Sequence, residues 1–185
     1  LLIERLTGRD YFSVIEEDVY RPVRMHDSGF VALDDEGVSL AEGYYRDESG
    51  AWKKNIYLTT PEAGPDGGTI STAWDLIRFL EALRQGDLLG EEMTAHMLTP
   101  RVHWGDGSPG FKDYVWQYGN GLMFNSREDG SIVRYGHMGE EMGSSCRIYH
   151  YPEPQLDLIV LGNLSECAGE LGWAIHDAVA DLYGL

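Results

Sequence analysis

The sequence predicts an α+β fold in which an antiparallel sheet is packed by a C-terminal helix. From residue 114 onward, short runs rich in β-branched and aromatic residues alternate with turn residues, which is typical of antiparallel strands. The last segment, Glu166–Tyr183, instead repeats apolar residues at helical spacing and should lie on that sheet. The earlier part of the chain carries helix signals separated by loops. We therefore divide the chain into residues 1–110, helices and loops, and residues 111–185, the sheet and its helix.

The composition supports a packed domain and argues against two classes of partner. Of the 185 residues, 43% are hydrophobic, which is enough for one domain with a sizeable core. The formal net charge of −17 disfavours nucleic acid and anionic membrane surfaces, because both are bound through cationic contacts. No apolar run reaches the length of about 18 residues that a membrane-spanning helix needs. The composition leaves the cellular compartment undetermined.

The cysteines and histidines do not form the motif of a metal or redox site. Cys146 and Cys167 lack the close spacing of such motifs, so they form either one disulfide or two inert thiols. The six histidines show no paired spacing of metal ligands. We therefore expect neither a metal ion nor another cofactor.

Two helices are predicted near the start of the chain. Residues Leu1–Gly8 have the pattern of the last turns of a helix that ends at a glycine. Asp10 can cap a second helix, whose apolar residues fall on one face and which Pro22 ends. Residues 26–60 carry turn signals and read as loops and short strands.

Two further helices are predicted after a cluster of glycines and a proline. Thr72 and Asp75 have the spacing of a capping box, and the helix that they begin should end before Gly86. A short helix, about Glu91–Met97, follows. Three glycines and one proline in residues 101–110 predict a loop.

The second part of the chain contains several predicted strands, about three of which should form the core of the sheet. The strand-like runs are residues 115–118, 122–124, 131–135, 145–151 and 156–162. The last of these runs is almost continuously apolar, which suits a strand covered on both faces.

The stretch Val133–Gly143 contains the best candidate for a functional side chain. His137 stands between Gly136 and Gly139, and glycines allow a backbone to approach another group closely. Histidine exchanges its proton near neutral pH, so it serves in catalysis and in recognition. Taken alone, the stretch is more typical of a hairpin strand with a half-buried histidine. The other motifs of the chain are needed to choose between the two interpretations.

Short segments along nearly the whole chain, in order, carry a family resemblance. They are Ile3–Gly8, Tyr20–Phe30, Ala41–Tyr44, Gly67–Leu76, Tyr118–Leu122 and Tyr135–Gly139, followed by Gly143, Pro152 and Asn163. This ordered set resembles the penicillin-recognising serine hydrolases, which include class C β-lactamases, D-Ala-D-Ala carboxypeptidases, D-aminopeptidases and related esterases. The resemblance implies an incomplete β-lactamase/transpeptidase-like fold, in which residues 1–110 are the remnant of a helical lobe.

The resemblance also implies a chemistry. In that family a serine of a Ser-x-x-Lys motif attacks an amide or ester carbonyl, a Tyr-x-Asn or Ser-x-Asn motif assists proton transfer, and a Lys/His-x-Gly strand faces the serine. Only the third motif is present, as His137-Met138-Gly139. By resemblance, His137 is a catalytic residue, and Gly139 with the backbone N–H of Glu140 binds substrate at the oxyanion hole. The implied substrate is a small molecule or peptide, and the family uses no metal.

Three departures from the family pattern bear on activity. No serine of the sequence has a lysine three residues later, so the nucleophile lies outside this chain. The literal match Tyr118-Gly119-Asn120 stands in the wrong segment for the second motif, and we interpret it as part of a strand. Glu140 is unusual beside an oxyanion hole, because a carboxylate there repels a developing negative charge unless it points away.

The missing motifs suggest that another segment completes the fold. In the family an N-terminal hairpin pairs with the final strand, so Leu156–Gly162 would here be an exposed apolar edge. We expect a missing N-terminal segment or a second chain to cover it, and we expect the isolated chain to be inactive. The alternative function is a catalytically inactive binding or interaction module of the same fold. Residues 31–60 and 101–113 are expected to set substrate choice, as loops commonly do.

Overall fold

The computed structural model describes residues 1–32, 35, 37–57, 63–105 and 114–185. The α+β fold with an antiparallel sheet and a C-terminal helix is confirmed. The helices are α1 (Leu2–Thr7), α2 (Tyr11–Ile15), α3 (Ala73–Gln85), α4 (Gly90–Met97) and α5 (Cys167–Tyr183). The strands are β1 (Tyr44–Arg46), β2 (Trp52–Lys54), β3 (Val102–Gly105), β4 (Val115–Gly119), β5 (Leu122–Ser126), β6 (Ile132–Glu141), β7 (Ser144–Tyr151) and β8 (Leu156–Gly162). In the described ranges no helix is both long and apolar enough to cross a membrane.

The predicted helix ends in the first part of the chain are confirmed. The Asp10 carboxylate accepts a hydrogen bond from the Ser13 amide at 3.0 Å, and the Thr72 hydroxyl accepts one from the Asp75 amide at 3.2 Å. Gly86 ends α3 with a φ of 83°, in the left-handed region that favours glycine. α2 continues as a π-helical turn, Glu16–Tyr20, so the helix of this segment is less regular than its apolar spacing predicted.

The main sheet has more strands than the sequence indicated. Six strands lie in the order β3-β4-β5-β6-β7-β8, and each pairs antiparallel with the next. Residues 102–105 were assigned to a loop, but they form β3, because β4 supplies a hydrogen-bonding edge that local turn signals do not reveal. Residues 106–110 of the same predicted loop, and 111–113 after it, lie outside the described residues.

Strand β6 is also longer than its predicted end at Tyr135. It continues to Glu141, because β7 pairs with it along the whole stretch from Tyr135 to Glu141. β5 pairs only with the first part, as far as Gly136. The glycines that look like strand breakers in the sequence therefore lie inside a strand.

The two faces of the sheet are covered by different helices. One face packs against α5 through a buried apolar cluster: Tyr149, Tyr151, Leu158, Val160, Ala168 and Val179. On the other face, Phe124 and Tyr135 pack with Met97 and Leu98 at the end of α4. The prediction that the C-terminal helix lies on the sheet is confirmed.

An ion pair joins helix α3 to the last strand. Arg84 Nη1 donates to Asp157 Oδ1 at 2.9 Å, and the nearly buried His150 ring lies 2.8 Å from the same oxygen. The Arg84 and Asp157 side chains are only 22% and 14% exposed, so water screens the pair weakly.

We expect Asp157→Asn to lower the free energy of unfolding by about 2 kcal/mol, because it removes a charged acceptor shared by two side chains. Urea denaturation measures the change. The matched control is Glu153→Gln, which breaks the Glu153–Arg127 pair at a 61%-exposed carboxylate and should cost less than about 0.5 kcal/mol. Equal losses in the two variants would contradict the assignment of Asp157 as a structural link.

Strand β8 forms one edge of the sheet. It pairs with β7 and with no other strand in the described part of the chain. Leu161 on this strand is 45% exposed, whereas Leu158 and Val160 are buried. An uncovered edge with an exposed apolar side chain is a surface to which another strand can pair.

Candidate active site

The His-x-Gly stretch lies where β6 extends beyond its neighbour β5. Gly139 and Glu140 pair with Cys146 and Ser145 of β7, but β5 ends opposite Gly136. One edge of this stretch therefore has no strand partner among the described residues. A backbone edge of this kind is where a substrate carbonyl could meet an amide donor.

His137 is held by one backbone and one side-chain contact. Its Nδ1 lies 2.7 Å from the carbonyl oxygen of Met138. Because a carbonyl only accepts hydrogen bonds, Nδ1 carries a proton in this contact, and Nε2 is the acceptor whenever the ring is neutral. The Tyr118 hydroxyl lies 3.3 Å from that Nε2, and the ring is half-buried. The arrangement leaves Nε2 as the ring nitrogen that can exchange partners.

Tyr118 contacts His137, and the sequence reasoning did not name it as a candidate site residue. Its ring meets His137 edge-on with centroids 5.9 Å apart, and Trp104 of β3 packs against it at 6.2 Å. In the literal Tyr-x-Asn match, Tyr118 contacts His137, whereas the Asn120 side chain donates to the His96 carbonyl at 2.9 Å, so the two side chains have different partners. The position of Tyr118 in the family-like segment Tyr118–Leu122 was the signal that could have found it.

Two glycines near His137, Gly136 and Gly143, leave no room for a Cβ because other atoms lie close to their backbones. A Cβ on Gly136 would overlap the Ile148 carbonyl oxygen on the neighbouring strand. Gly143 turns the β6–β7 hairpin with a φ of 83°, and a Cβ there would lie 2.7 Å from Asn55. The interpretation that these glycines admit a closely approaching group is confirmed, although the group is the protein's own backbone and hairpin.

The Glu140 carboxylate lies near the guanidinium of Arg147. It lies 3.6 Å from Arg147 Nη2, and its side chain is 40% exposed. Arg147 is itself held by the carbonyl oxygen of Cys146 at 2.8 Å and by that of Gly139 at 3.3 Å. The positive charge of Arg147 offsets the repulsion that a carboxylate beside an oxyanion would exert.

Both cysteines are free thiols, which decides between the two alternatives left by the sequence. Burial raises the pKa of the Cys146 thiol, and the nearby Gly139 amide opposes the rise. Cys167 donates to the Leu164 carbonyl oxygen at 3.3 Å. Among the residues that the structure covers, no group of three His, Cys, Asp or Glu side chains could hold a metal ion.

The β1–β2 hairpin lies next to the tip of the candidate site. The Tyr44 amide donates to the Asn163 carbonyl oxygen at 2.9 Å, and the Asn163 side chain donates to the Glu42 carbonyl oxygen at 3.0 Å. The Gly143 amide in turn donates to the Ser165 hydroxyl at 2.8 Å. The hairpin belongs to residues 31–60, one of the two ranges predicted to set substrate choice. Residues 33, 34, 36, 58–60 and 106–113 of the two ranges lie outside the described residues.

Comparison with protein-family models decides the family. The model described as Beta-lactamase matches residues 1–180. The chain belongs to the beta-lactamase family. The resemblance found in the sequence motifs is confirmed. A search of curated proteins found none that matches.

Several solved structures are similar to this chain in fold. The penicillin binding protein from Bacillus halodurans is 32% identical with a TM-score of 0.86, over 96% of this chain and 52% of that chain. The octameric penicillin-binding protein homologue from Pyrococcus abyssi is 26% identical with a TM-score of 0.78, over 99% and 40% of the two chains. The D-stereospecific amidohydrolase from a Streptomyces species is 25% identical with a TM-score of 0.69, over 89% and 47%. The chain therefore spans about half the length of the solved structures that it matches.

Proposed function

We propose that this chain is the C-terminal part of a beta-lactamase-family serine hydrolase that cleaves amide or ester bonds through an acyl-enzyme. The observation that carries the proposal is the match of the family model to residues 1–180. The His137-Met138-Gly139 strand supplies one wall of the cleft. The serine and lysine of the nucleophile, together with the Tyr-x-Asn motif, are supplied by polypeptide outside these residues.

In the proposed reaction, the serine hydroxyl attacks the substrate carbonyl and its proton passes to a base. The carbonyl oxygen becomes an oxyanion, and the Glu140 amide on the open edge of β6 donates a hydrogen bond to it. His137 keeps its Nδ1 proton on the Met138 carbonyl and uses Nε2 in the proton-transfer network or to bind the substrate. As the tetrahedral intermediate collapses, the base returns the proton to the leaving nitrogen or oxygen and the amine or alcohol departs. Water then attacks the acyl-serine, which releases the carboxylic acid and restores the serine hydroxyl.

The proposed partners are a substrate and a segment that completes the sheet. The substrate is a β-lactam, a D-amino-acid peptide or amide, or an ester. The open edge of β8 and the exposed Leu161 support pairing with a further strand from a missing N-terminal segment or from a second chain. The half-length match to the solved structures supports the same view.

The test compares the isolated 185-residue chain with the longest natural polypeptide that contains it. A fluorophosphonate or penicillin probe should acylate the longer protein at the serine of a Ser-x-x-Lys motif and should leave the isolated chain unlabelled. Turnover of p-nitrophenyl esters, D-amino-acid amides and nitrocefin would then identify the substrate class. A folded longer protein that neither reacts with the probes nor turns over any of the substrates would establish the inactive binding module instead.

A further inference from the structure

The Arg147 side chain lies between strand β7 and the first turns of α5. It is only 13% exposed, and two glycines of the helix face it. A Cβ on Gly169 would lie 2.7 Å from Arg147 Nη2, and a Cβ on Gly172 would lie 3.1 Å from Arg147 Cγ. A larger residue at Gly169 would therefore occupy the place of the guanidinium. The two glycines leave room for the arginine between the helix and the sheet.

The guanidinium reaches one backbone peptide group of β6. Nη1 donates to the Gly139 carbonyl oxygen at 3.3 Å and to the Cys146 carbonyl oxygen of its own strand at 2.8 Å. The Gly139 carbonyl and the Glu140 N–H belong to the same peptide group, and a peptide group is planar and rigid. A donor that fixes the direction of this carbonyl therefore also fixes the direction of the N–H.

The same contact affects how strongly the Glu140 N–H donates. Hydrogen bonds that share an amide polarise one another, so a cation at the carbonyl makes the N–H of that amide a stronger donor. The Glu140 carboxylate lies 3.6 Å from Nη2, whereas the peptide contact is made by Nη1. The ion pair and the peptide contact therefore use different nitrogens and can be separated by substitution.

These contacts distinguish Arg147 from a residue that only joins the helix to the sheet. In the part of the chain that the structure describes, its hydrogen bonds go to carbonyl oxygens of β6 and β7 and not to α5. Its contact with α5 is the close packing against Gly169 and Gly172. The hydrogen-bonding end of the side chain thus serves the strand that carries the candidate site.

We propose that Arg147 is a positioning residue for the oxyanion hole, which holds and polarises the Gly139–Glu140 peptide so that the Glu140 N–H meets the developing oxyanion. The inference rests on the proposed function, because that function supplies the reacting carbonyl. Arg147 itself does not touch the substrate. Since the oxyanion forms only in the transition state, a loosened peptide should lower kcat and leave KM nearly unchanged.

The kinetic test uses the longest natural polypeptide that contains these residues, with the substrate identified by turnover. Arg147→Met should lower kcat about ten-fold, because it weakens one oxyanion donor without removing it. KM should stay within about two-fold of the wild-type value. Arg147→Lys keeps a charged donor and should recover part of the lost kcat. Glu140→Gln removes the ion pair and keeps both hydrogen bonds of Nη1, so it should cost less than Arg147→Met.

Gly169→Ala displaces the guanidinium without changing the arginine. The obstructed atom is the end of a flexible side chain, so the arginine should move while the fold remains. Alanine is also favoured over glycine inside a helix, so the melting temperature should not fall, whereas kcat should fall as in Arg147→Met. The matched control is Arg127→Met, which breaks an exposed ion pair with Glu153 in the turn before β6 and should leave kcat and KM unchanged.

A second readout follows the peptide itself and does not depend on activity. With carbonyl-¹³C glycine and ¹⁵N glutamate, triple-resonance NMR detects amides in which a glycine precedes a glutamate. In this sequence these are Gly90–Glu91, Gly139–Glu140 and Gly169–Glu170. The signal that Gly139→Ala removes is that of Gly139–Glu140. Arg147→Met should move this signal, because the carbonyl loses a charged donor, and should leave that of Gly90–Glu91 in place.

The outcomes separate this inference from the proposed function. Wild-type kcat in folded Arg147→Met, or in Gly169→Ala if the first variant does not fold, would overturn the positioning role. A Gly139–Glu140 signal that stays in place in a folded variant would overturn the contact on which that role depends. A wild-type protein that turns over none of the substrates would overturn the proposed function instead, and the NMR signal would then decide alone whether Arg147 holds this peptide.

Discussion

Replacing His137 with alanine in the longer, catalytically competent protein is expected to lower kcat/KM by about a hundred-fold, the usual size of a general acid–base contribution. The reason is that Nε2 is the ring nitrogen left to exchange partners, while Nδ1 is held by the Met138 carbonyl oxygen. Steady-state kinetics on the substrate identified by probe labelling measures the change. Tyr118→Phe removes only the hydroxyl that meets Nε2, so it should cost less, up to about ten-fold.

Two controls separate a catalytic effect from a folding effect. His96→Ala removes an exposed histidine whose contacts are to Asn120, and it should change kcat/KM by less than about two-fold. The melting temperature of the His137→Ala variant should remain close to that of the wild type, because the ring is only half-buried. Wild-type kinetics in a folded His137→Ala protein would show that the histidine is an ordinary hairpin residue.

Replacing Gly136 with alanine is expected to lower the free energy of unfolding by about 3 kcal/mol. The added Cβ would overlap the Ile148 carbonyl oxygen and would lie 2.9 Å from the Cα of Tyr149. Both obstructing groups are backbone in the paired strand β7, so no side-chain rotation can relieve the contact. Relief requires β6 and β7 to separate next to His137. Urea denaturation monitored by circular dichroism measures the loss.

The matched control is Gly105→Ala in strand β3 of the same sheet. Among the described residues, a Cβ at Gly105 meets no heavy atom within 4 Å, so this substitution should change the free energy of unfolding by less than about 0.5 kcal/mol. Comparable stabilities of the two variants would contradict the close approach of β7 to Gly136. The same Gly136→Ala protein should also lose activity, because its distorted strand carries the candidate site.

Local sequence signals predicted the elements that depend on nearby residues. The capping box of Thr72 and Asp75 could be predicted because both partners lie within one turn of helix. The C-terminal helix could be predicted because its apolar residues repeat at helical spacing over seventeen residues. Strand β3 was missed, because its four residues become a strand only when β4 pairs with them.

The candidate site was only partly predictable. His137, Gly139 and Glu140 were named from a motif that is contiguous in the sequence, and their functional roles stay predictions. Tyr118 was not named, because its contact with His137 joins residues that are 19 positions apart on two different strands. The direction of the Glu140 carboxylate could not be predicted from the motif, because the carboxylate contacts Arg147 on the neighbouring strand β7.

The sequence by itself determined the fold class, the helix ends and the family, because caps, periodicity and ordered motifs are properties of neighbouring residues. Only the tertiary structure decided which strands have open edges and why Gly136 must be a glycine. It also placed the cation of Arg134 against the rings of Tyr149 of β7 and Trp173 of α5. The physical reason is that hydrogen-bonding edges, close backbone contacts and buried charges arise between segments that are distant in the chain, so no local pattern records them.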